Sequence, residues 1–390
     1  MSFAFSFSGD DIEDDSACPD ELAAKLEGTN ITPIPQAAAL FAPRRHTLAG
    51  LLRDVPSQVA YNYLDVPVLS ALDGTTDNGN DGARVRVARR EIHDIRQQLM
   101  AEVDLEDSET EASATDSLSL LEGLARGDLS TGVYEGGFKT WECAVDLAGF
   151  VAAHVGRGRM GERAQWHVVE LGAGSAIPSL VLLQRVVRER VGLGGKESGR
   201  VRFTLCDYNE DVLRLCTAVN VFLTVCLEGR GSTLEDSEGD AEEGHVEVGE
   251  DLVGKALKVL EDANIEIDFI SGAWGEDFLH LLYGHGQASQ YMSRPLSDQS
   301  QTLVLASETI YAPSSLGVFS NLLYDMLNEE RRIAPGRAEA FVAAKKVYFG
   351  VGGGVAEFEE EIKKLGGMSK TVLDVKGAGV GRVVLEISTT

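Results

Sequence analysis

The stretch "VVELGAGSAIPSL", residues 168–180, decides the fold. An apolar strand runs into Gly172-Ala173-Gly174-Ser175-Ala176 and then into a helix whose first turn tolerates Pro178. Nucleotide-binding α/β folds hold a cofactor on such a strand–glycine loop–helix unit, at the carboxyl edge of the sheet. A dinucleotide fingerprint needs a third glycine five residues after the first, and Ile177 stands there. The loop therefore suits some other ligand.

Working outward, strand and helix signals alternate from Gly132 onward. "TWECAVDLAGFVAAHV" (140–155) has the spacing of a helix, "RVRFTLCD" (200–207) that of a strand, and "NEDVLRLCTAVNVFLTV" (209–225) a helix with Asn209 as N-cap. "IEIDFISG" (265–272), "TLVLASE" (302–308) and "AFVAAKKVYFGV" (340–351) supply three more strands, with helices at 314–327 and after Val355. The last two strands, "KTVLDVK" (370–376) and "RVVLEIS" (382–388), are joined only by "GAGVG". That link is too short for a parallel crossover, so they must form an antiparallel hairpin. The expected fold is a doubly wound α/β sheet ending in one reversed strand. Excursions at 192–199, 234–251 and 286–301 interrupt it and read as surface insertions.

Residues 1–130 differ in style. "GDDIEDDSACPDE" and "EVDLEDSETEASATDS" are acidic, serine-containing tracts that cannot bury enough apolar surface to order themselves. Between them "ARREIHDIRQQLMAE" (88–102) places Ile92, Ile95, Leu99 and Met100 at helical spacing, predicting one helix that docks on the main body. The domain expectation is thus a partly disordered acidic region over 1–130 and a catalytic domain over 131–390.

With 390 residues, 44% of them hydrophobic, the chain can bury a sizeable core, and its net charge of −27 repels nucleic acid and anionic membranes. No direct nucleic-acid binding is expected; a basic protein partner is. Five cysteines without a C-x-x-C pair indicate neither a disulfide framework nor a zinc site. "MSFAFSFSGDD" lacks the basic start of a signal peptide, and no apolar run approaches the roughly 18 residues of a membrane helix. A soluble intracellular monomer is the expectation.

Three residues narrow the ligand. Glu170 stands two positions before the first glycine, where it would repel a pyrophosphate but suit a ligand ammonium group or cap a helix. Asp207 ends the next strand, the place from which a carboxylate accepts from both ribose hydroxyls. Trp274, just after the third strand, can flank an adenine or fill the core. A nucleoside without phosphate and with a cationic amino-acid tail describes S-adenosylmethionine. The reversed C-terminal hairpin agrees, because the seven-stranded, Rossmann-like class I methyltransferase sheet ends with it. Upstream, Trp141 in "YEGGFKTWECAVDL" (134–147) can lay its ring on a sulfonium, or anchor its helix.

"EGGFKTWEC", "VVELGAGSAIPSL", "LCDYNEDVLRLCTAVNVFLT", "SGAWGEDF", "SETIYAP" and "KKVYFGVGGGVAEF" follow one another along the chain. Together they resemble the protein-histidine N-methyltransferases, a eukaryotic group of seven-β-strand methyltransferases. The resemblance implies transfer of the S-adenosylmethionine methyl to the distal ring nitrogen of a histidine in a large-subunit ribosomal protein, in cytoplasm and nucleus. It also implies cofactor contacts at Trp141, Glu142, Cys143, Gly172, Gly174, Asp207, Tyr208, Asn209, Ala273, Trp274 and Ser307.

Imidazole, with a pKa of about 6.5, is mostly free base at neutral pH, so the protein's task is to position it and fix its tautomer. The strand end "SETIY" places Glu308 as the acceptor that orients the imidazole, with Tyr311 as a wall or hydrogen-bond partner. This E-x-x-Y spacing is similar to the D-x-x-Y signature of related protein methyltransferases; the plainer alternative is backbone bonding and packing. Asn220 and Lys139 are weaker candidates, and His154 and His167 read as ordinary fold residues. Alternatives are a lysine methyltransferase on the same sheet, a non-catalytic chaperone for a basic ribosomal protein and, last, a nicotinamide oxidoreductase.

Overall fold

The computed structural model describes residues 41–69, 83–106, 137–155, 160, 165–191, 199–229, 242–284, 300–349, 352–376 and 380–389. The N-terminal acidic tract, most of the second one and nearly all of the 192–199 and 286–301 insertions lie outside these residues.

Between Arg44 and Glu106, where sequence promises one helix, the chain also makes three strands: β1 (Arg44–Thr47), β2 (Gln58–Pro67) and β3 (Arg84–Arg90), followed by α1 (Ile92–Glu106). Helix α1 buries Ile95 and Leu99, while Ile92 and Met100 face outward, so half of its predicted apolar face does the docking. After the next described helix, α2 (Glu142–His154), the alternating α/β order sets in. It runs β4 (Gln165–Leu171), α3 (Ile177–Arg190), β5 (Val201–Asp207), α4 (Ala218–Glu228), β6 (Glu243–Glu247), α5 (Glu250–Asp262) and β7 (Ile265–Ser271). The second half continues with α6 (Glu276–Tyr283), β8 (Ser300–Ser307), α7 (Pro313–Ile333), β9 (Ala338–Lys345) and α8 (Val355–Lys364), and ends in the hairpin β10 (Gly367–Val375) and β11 (Arg382–Thr389).

The main sheet has the order β1-β7-β5-β4-β8-β9-β11-β10. Its parallel pairs run from β7 to β9, and β11 is antiparallel to both β9 and β10, so the reversed strand lies where the short link requires it. The seven expected strands are joined at the far edge by an eighth. Strand β1, too short to announce itself in sequence, pairs antiparallel with β7. Strand β6 comes from the tail of the acidic 234–251 insertion and pairs with β2 in a second sheet, β3-β2-β6, so that end of the insertion is structured. Residues 41–106, as far as described, belong to the same compact unit as the rest.

Strand β4 sits between β5 and β8, and the chain leaves it in opposite directions to reach them. Leu171 is level with Cys206 and Ala306, so the three strands end together and open a crevice at the carboxyl edge. Side chains alternate across the sheet with period two. Trp166, Val168, Phe203 and Leu205 join one apolar cluster with α2, α3 and α4; Val169, Leu171, Cys206 and Val304 join another with α7 and α8.

The second sheet is anchored by buried Arg90 to α1 and to the helical segment that follows β5. Its guanidinium donates to Asp94 Oδ2 at 2.6 Å, Gln98 Oε1 at 2.8 Å and Leu215 O at 2.9 Å, and its backbone N–H donates to Asn220 Oδ1 at 2.7 Å. Helix α2 meets the end of β2 at Gly149, where an added Cβ would stand 2.1 Å from Pro67 O. Alanine in a helix interior ordinarily gains about 1 kcal/mol over glycine. Here overpacking, worth about 1–3 kcal/mol, reverses the sign. Gly149→Ala is expected to lower the free energy of unfolding by up to about 2 kcal/mol in chemical denaturation; a stabilised variant would mean that α2 and β2 do not touch there.

Candidate active site

The loop Gly172–Ala176 turns out of β4 with Gly172 at φ +67° and Gly174 at φ +49°. Side chains or a Cβ are strained in that region, which is why glycine serves here. Ala176 adopts φ +57° without that freedom, a local strain of order 1–3 kcal/mol. The loop is also crowded: a Cβ on Gly172 would meet Thr309 Cγ2 at 2.9 Å, and one on Gly174 would meet Gly137 O at 2.9 Å.

Neighbouring side chains satisfy the loop's backbone. Asp207 Oδ2 accepts from Gly174 N at 3.0 Å and Oδ1 from Asn209 N at 3.1 Å. Thr217 Oγ1 donates to Gly174 O at 2.6 Å, and Asn220 Nδ2 to Ser175 O at 3.0 Å. Thr217 closes a single π-helical turn, Leu213–Thr217, of the kind that recurs at functional sites. Asn220 is therefore structural, as expected of it.

Of the two roles open to it, Glu170 takes that of the helix cap in the structure. It is 1% exposed, and Oε2 accepts from Ser179 N at 3.1 Å, in the first turn of α3. The residue caps that helix, whose own cap position, Ala176, has no side-chain acceptor. Burial pushes its carboxyl up from 4.5 to about 8, against the hydrogen bonding from Ser179. Oε2 of Glu170 thus shapes the loop, while its Oε1 is buried without a hydrogen bond among the described residues.

A second group gathers where β8 and β9 end. Glu308 has φ +56°, a left-handed conformation for a residue with a long side chain. Its Oε2 accepts from Tyr348 Oη at 2.5 Å, and Tyr348 Oη itself accepts from Lys345 N at 3.2 Å. Its other oxygen, Oε1, is buried and makes no hydrogen bond among the described residues; Lys345 Nζ lies 3.7 Å away. Lys345 also pairs with Glu142 at 3.2 Å. Burial pulls the Lys345 ammonium down, but Glu308 and then Glu142 outweigh it and raise the pKa. The Cys143 thiol is pushed far up by burial and by the Glu308 carboxylate beside it, so it stays protonated. Tyr311 presents its ring 6.3 Å from that of Tyr348 at 60°.

Trp141 precedes α2 in extended conformation, and its ring carries Lys139 Nζ at 4.7 Å and Lys345 Nζ at 5.2 Å. Thr140 Oγ1 donates to Ser175 Oγ at 3.0 Å, which ties this segment to the glycine loop. The structure thus brings Trp141, Glu142, Cys143, Glu308 and Tyr311 together, with Gly172 joined through Thr309. Ser307 stands half-buried beside them at the end of β8.

The remaining predicted contacts have structural employment as well. Asn209 Oδ1 accepts from Asp211 N at 2.9 Å as a helix cap. Tyr208 packs edge-on against Phe41, and Ala273 N donates to Phe41 O at 2.8 Å. Trp274 is half-buried and tilts onto Phe319 at 5.3 Å, in the second apolar cluster. His167 is buried against Thr204, and His154 bonds Glu339, as ordinary fold residues do.

The site fits S-adenosylmethionine. Two glycines let a ligand approach the backbone, the Asp207 carboxylate stands on the Gly174 N–H beside them, and a ring face that attracts ammonium groups suits a sulfonium. Sequence reasoning missed Tyr348 and Lys345, although the segment "KKVYFGVGGGV" that carries them stood out.

No family model matches the chain. It is similar to histidine protein methyltransferase 1 of Saccharomyces cerevisiae, 30% identical over 382 residues that cover 92% of this chain and 90% of that protein. The same-named protein of Schizosaccharomyces pombe is 32% identical over 277 residues, covering 71% and 69%. A homolog from Rattus norvegicus is 28% identical over 68% of this chain and 59% of its own length. Among solved structures, the chain is similar to the rRNA methyltransferase aviRa from Streptomyces viridochromogenes, over 68% of this chain and 94% of that one, at 14% identity and a TM-score of 0.33.

Because folded Glu170 holds its proton up to about pH 8 and the unfolded carboxyl only to 4.5, stability should fall as pH rises across that window. In urea titrations, Glu170→Gln should gain on the parent by about 4 kcal/mol between pH 5 and pH 8.5. Parallel profiles would show that Glu170 is ionised in its helix cap.

Proposed function

The chain belongs to the histidine protein methyltransferase 1 family, and on that premise we propose that it methylates one histidine of a large-subunit ribosomal protein at the distal ring nitrogen. That it is an S-adenosylmethionine-dependent protein-histidine methyltransferase follows from the family. The substrate, the nitrogen and the residue roles are the proposal.

S-adenosylmethionine supplies an electrophilic methyl on a positively charged sulfur. In this reading Asp207 takes the ribose hydroxyls, Gly172 and Gly174 let the ligand lie against the loop, and Trp141 faces the sulfonium. Tyr208, Asn209, Ala273, Trp274 and Ser307 would line the rest of the crevice, Asn209 and Ala273 mainly through backbone. The observation that carries the reading is the Glu308 carboxylate, with Oε1 buried and unbonded at the edge of the crevice. A buried acceptor of this kind costs about 1–3 kcal/mol when left unpaired, and it is suited to an imidazole N–H. The imidazole's opposite nitrogen would then present its lone pair to the methyl. S-adenosylmethionine would give up its methyl and leave as the neutral thioether, while Glu308 would take the ring's N–H proton and pass it to water. Tyr311 forms the wall behind the ring.

The partner is read from charge. At −27 the chain attracts basic proteins, and complementary charge speeds encounter and suppresses wrong partners. Cytoplasm and nucleus, where ribosomal proteins are made and assembled, are the proposed locations. No nucleic-acid or membrane contact is needed, and a monomer suffices.

Mass spectrometry of large-subunit proteins from cells with and without the enzyme should find one histidine whose methyl depends on it. Asp207→Ala should abolish that methyl and weaken S-adenosylmethionine binding at least tenfold in calorimetry, roughly the 1.4 kcal/mol or more of one or two lost hydrogen bonds. Labelling of extracted ribosomal proteins should also weaken as salt rises above about 0.15 M. A methyl on lysine, or unchanged ribosomal proteins, would overturn the proposal.

A further inference from the structure

We propose that Tyr348 is the positioning residue that makes the reaction select one imidazole nitrogen, by fixing which oxygen of Glu308 faces the substrate. The proposal rests on the assignment of Glu308 as the imidazole's acceptor.

A carboxylate on a flexible side chain could turn either oxygen, or neither, toward an incoming ring. Three constraints remove that freedom. First, the hydroxyl of Tyr348 has a fixed proton direction: Oη accepts from Lys345 N at 3.2 Å, so its own proton goes to Glu308 Oε2 at 2.5 Å. Burial and the neighbouring Glu308 carboxylate push the Tyr348 phenol far above its ordinary range, which keeps that proton in place. Second, the loop after Tyr348 is locked onto the segment after Glu308. Val347 bridges to Gly354, and Gly353 lies so close that a Cβ there would stand 2.3 Å from Tyr311 O and 2.6 Å from Ile310 O. Gly353 and the Val347–Gly354 bridge therefore clamp Tyr348 and the Glu308–Tyr311 turn into one body. Third, Lys345 Nζ, at 3.2 Å from Glu142 and 3.7 Å from Glu308 Oε1, is too far from Oε1 for a hydrogen bond but close enough to favour its charge.

Oε1, beside the protonated Cys143 thiol but without a hydrogen bond of ordinary geometry among the described residues, is thus the Glu308 oxygen that would take the imidazole N–H. Taking that proton by hydrogen bond fixes the tautomer and leaves the opposite nitrogen as nucleophile. With the Tyr348 hydroxyl gone, the carboxylate can rotate and either nitrogen can be presented.

The test uses the full-length chain, large-subunit ribosomal proteins extracted from cells lacking the enzyme, and S-adenosylmethionine labelled in its methyl. Acid hydrolysis and chromatography separate the two methylhistidine isomers. Tyr348→Phe should lose on the order of tenfold to a hundredfold in turnover, as for one hydrogen bond to a charged group. It should yield both isomers and keep its affinity for S-adenosylhomocysteine and its unfolding midpoint. Combined with Glu308→Gln it should fall no further than Glu308→Gln alone. Should Tyr348→Phe unfold, Glu308→Asp, which withdraws the carboxylate from the tyrosine, should give the same mixture. A single isomer from these variants, or losses that multiply in the double variant, would overturn the proposal. Label in lysine with the parent enzyme would instead sink the histidine reading beneath it.

Discussion

The backbone of Gly172–Ala176 leaves the sheet and loses its ladder partners, and the rest of the molecule is arranged to replace them. A peptide group left unpaired in such a place costs about 1–3 kcal/mol. Asp207 from β5 takes the Gly174 N–H, while Thr217 and Asn220, from the helix after β5, give to the carbonyls of Gly174 and Ser175. Glu170 from β4 itself takes an N–H of the helix that follows. Asn220 also accepts the Arg90 N–H, so the N-terminal sheet is tied to the loop through one side-chain amide. Three parts of the fold meet where the cofactor is to lie.

This constraint explains what sequence could and could not reveal. The central strands were legible because they are buried on both faces and read as apolar runs bounded by glycine or acid. The hairpin was legible because five residues cannot cross a sheet. Strand β1 was not, since four residues carry no period, and β2 and β3 were masked by acidic surroundings, β2 pairing with β3 on one side and with a strand nearly two hundred residues away on the other. Glu170 was seen as unusual for a strand end, but whether an acid there meets a ligand or a helix N-terminus depends on where the helix begins. Tyr348 was invisible for a different reason. Its bond to Glu308 spans 40 residues and exists because β8 and β9 are neighbours, which only the sheet order reveals.

Histidine protein methyltransferases face a modest chemical demand, because the nucleophile is already mostly unprotonated at neutral pH. What remains is geometry: which ring nitrogen, at what angle, beside which methyl. The crevice matches that demand. It offers a carboxylate held in a strained backbone turn, a phenol that bonds one of its oxygens, and a lysine beside it. Strain in the Glu308 backbone, of order 1–3 kcal/mol, persists because β9 and the glycine run packed on it leave the turn no alternative.

The account rests on Glu308 Oε1 meeting the substrate imidazole, and one distance decides it. In a crystal structure of the full chain with S-adenosylhomocysteine and a histidine-bearing substrate peptide, the imidazole nitrogen opposite the methyl-accepting one should lie about 2.7–3.2 Å from Oε1, with Tyr348 Oη still on Oε2. An imidazole bonded elsewhere, with Oε1 turned to Lys345 or to solvent, would contradict the account.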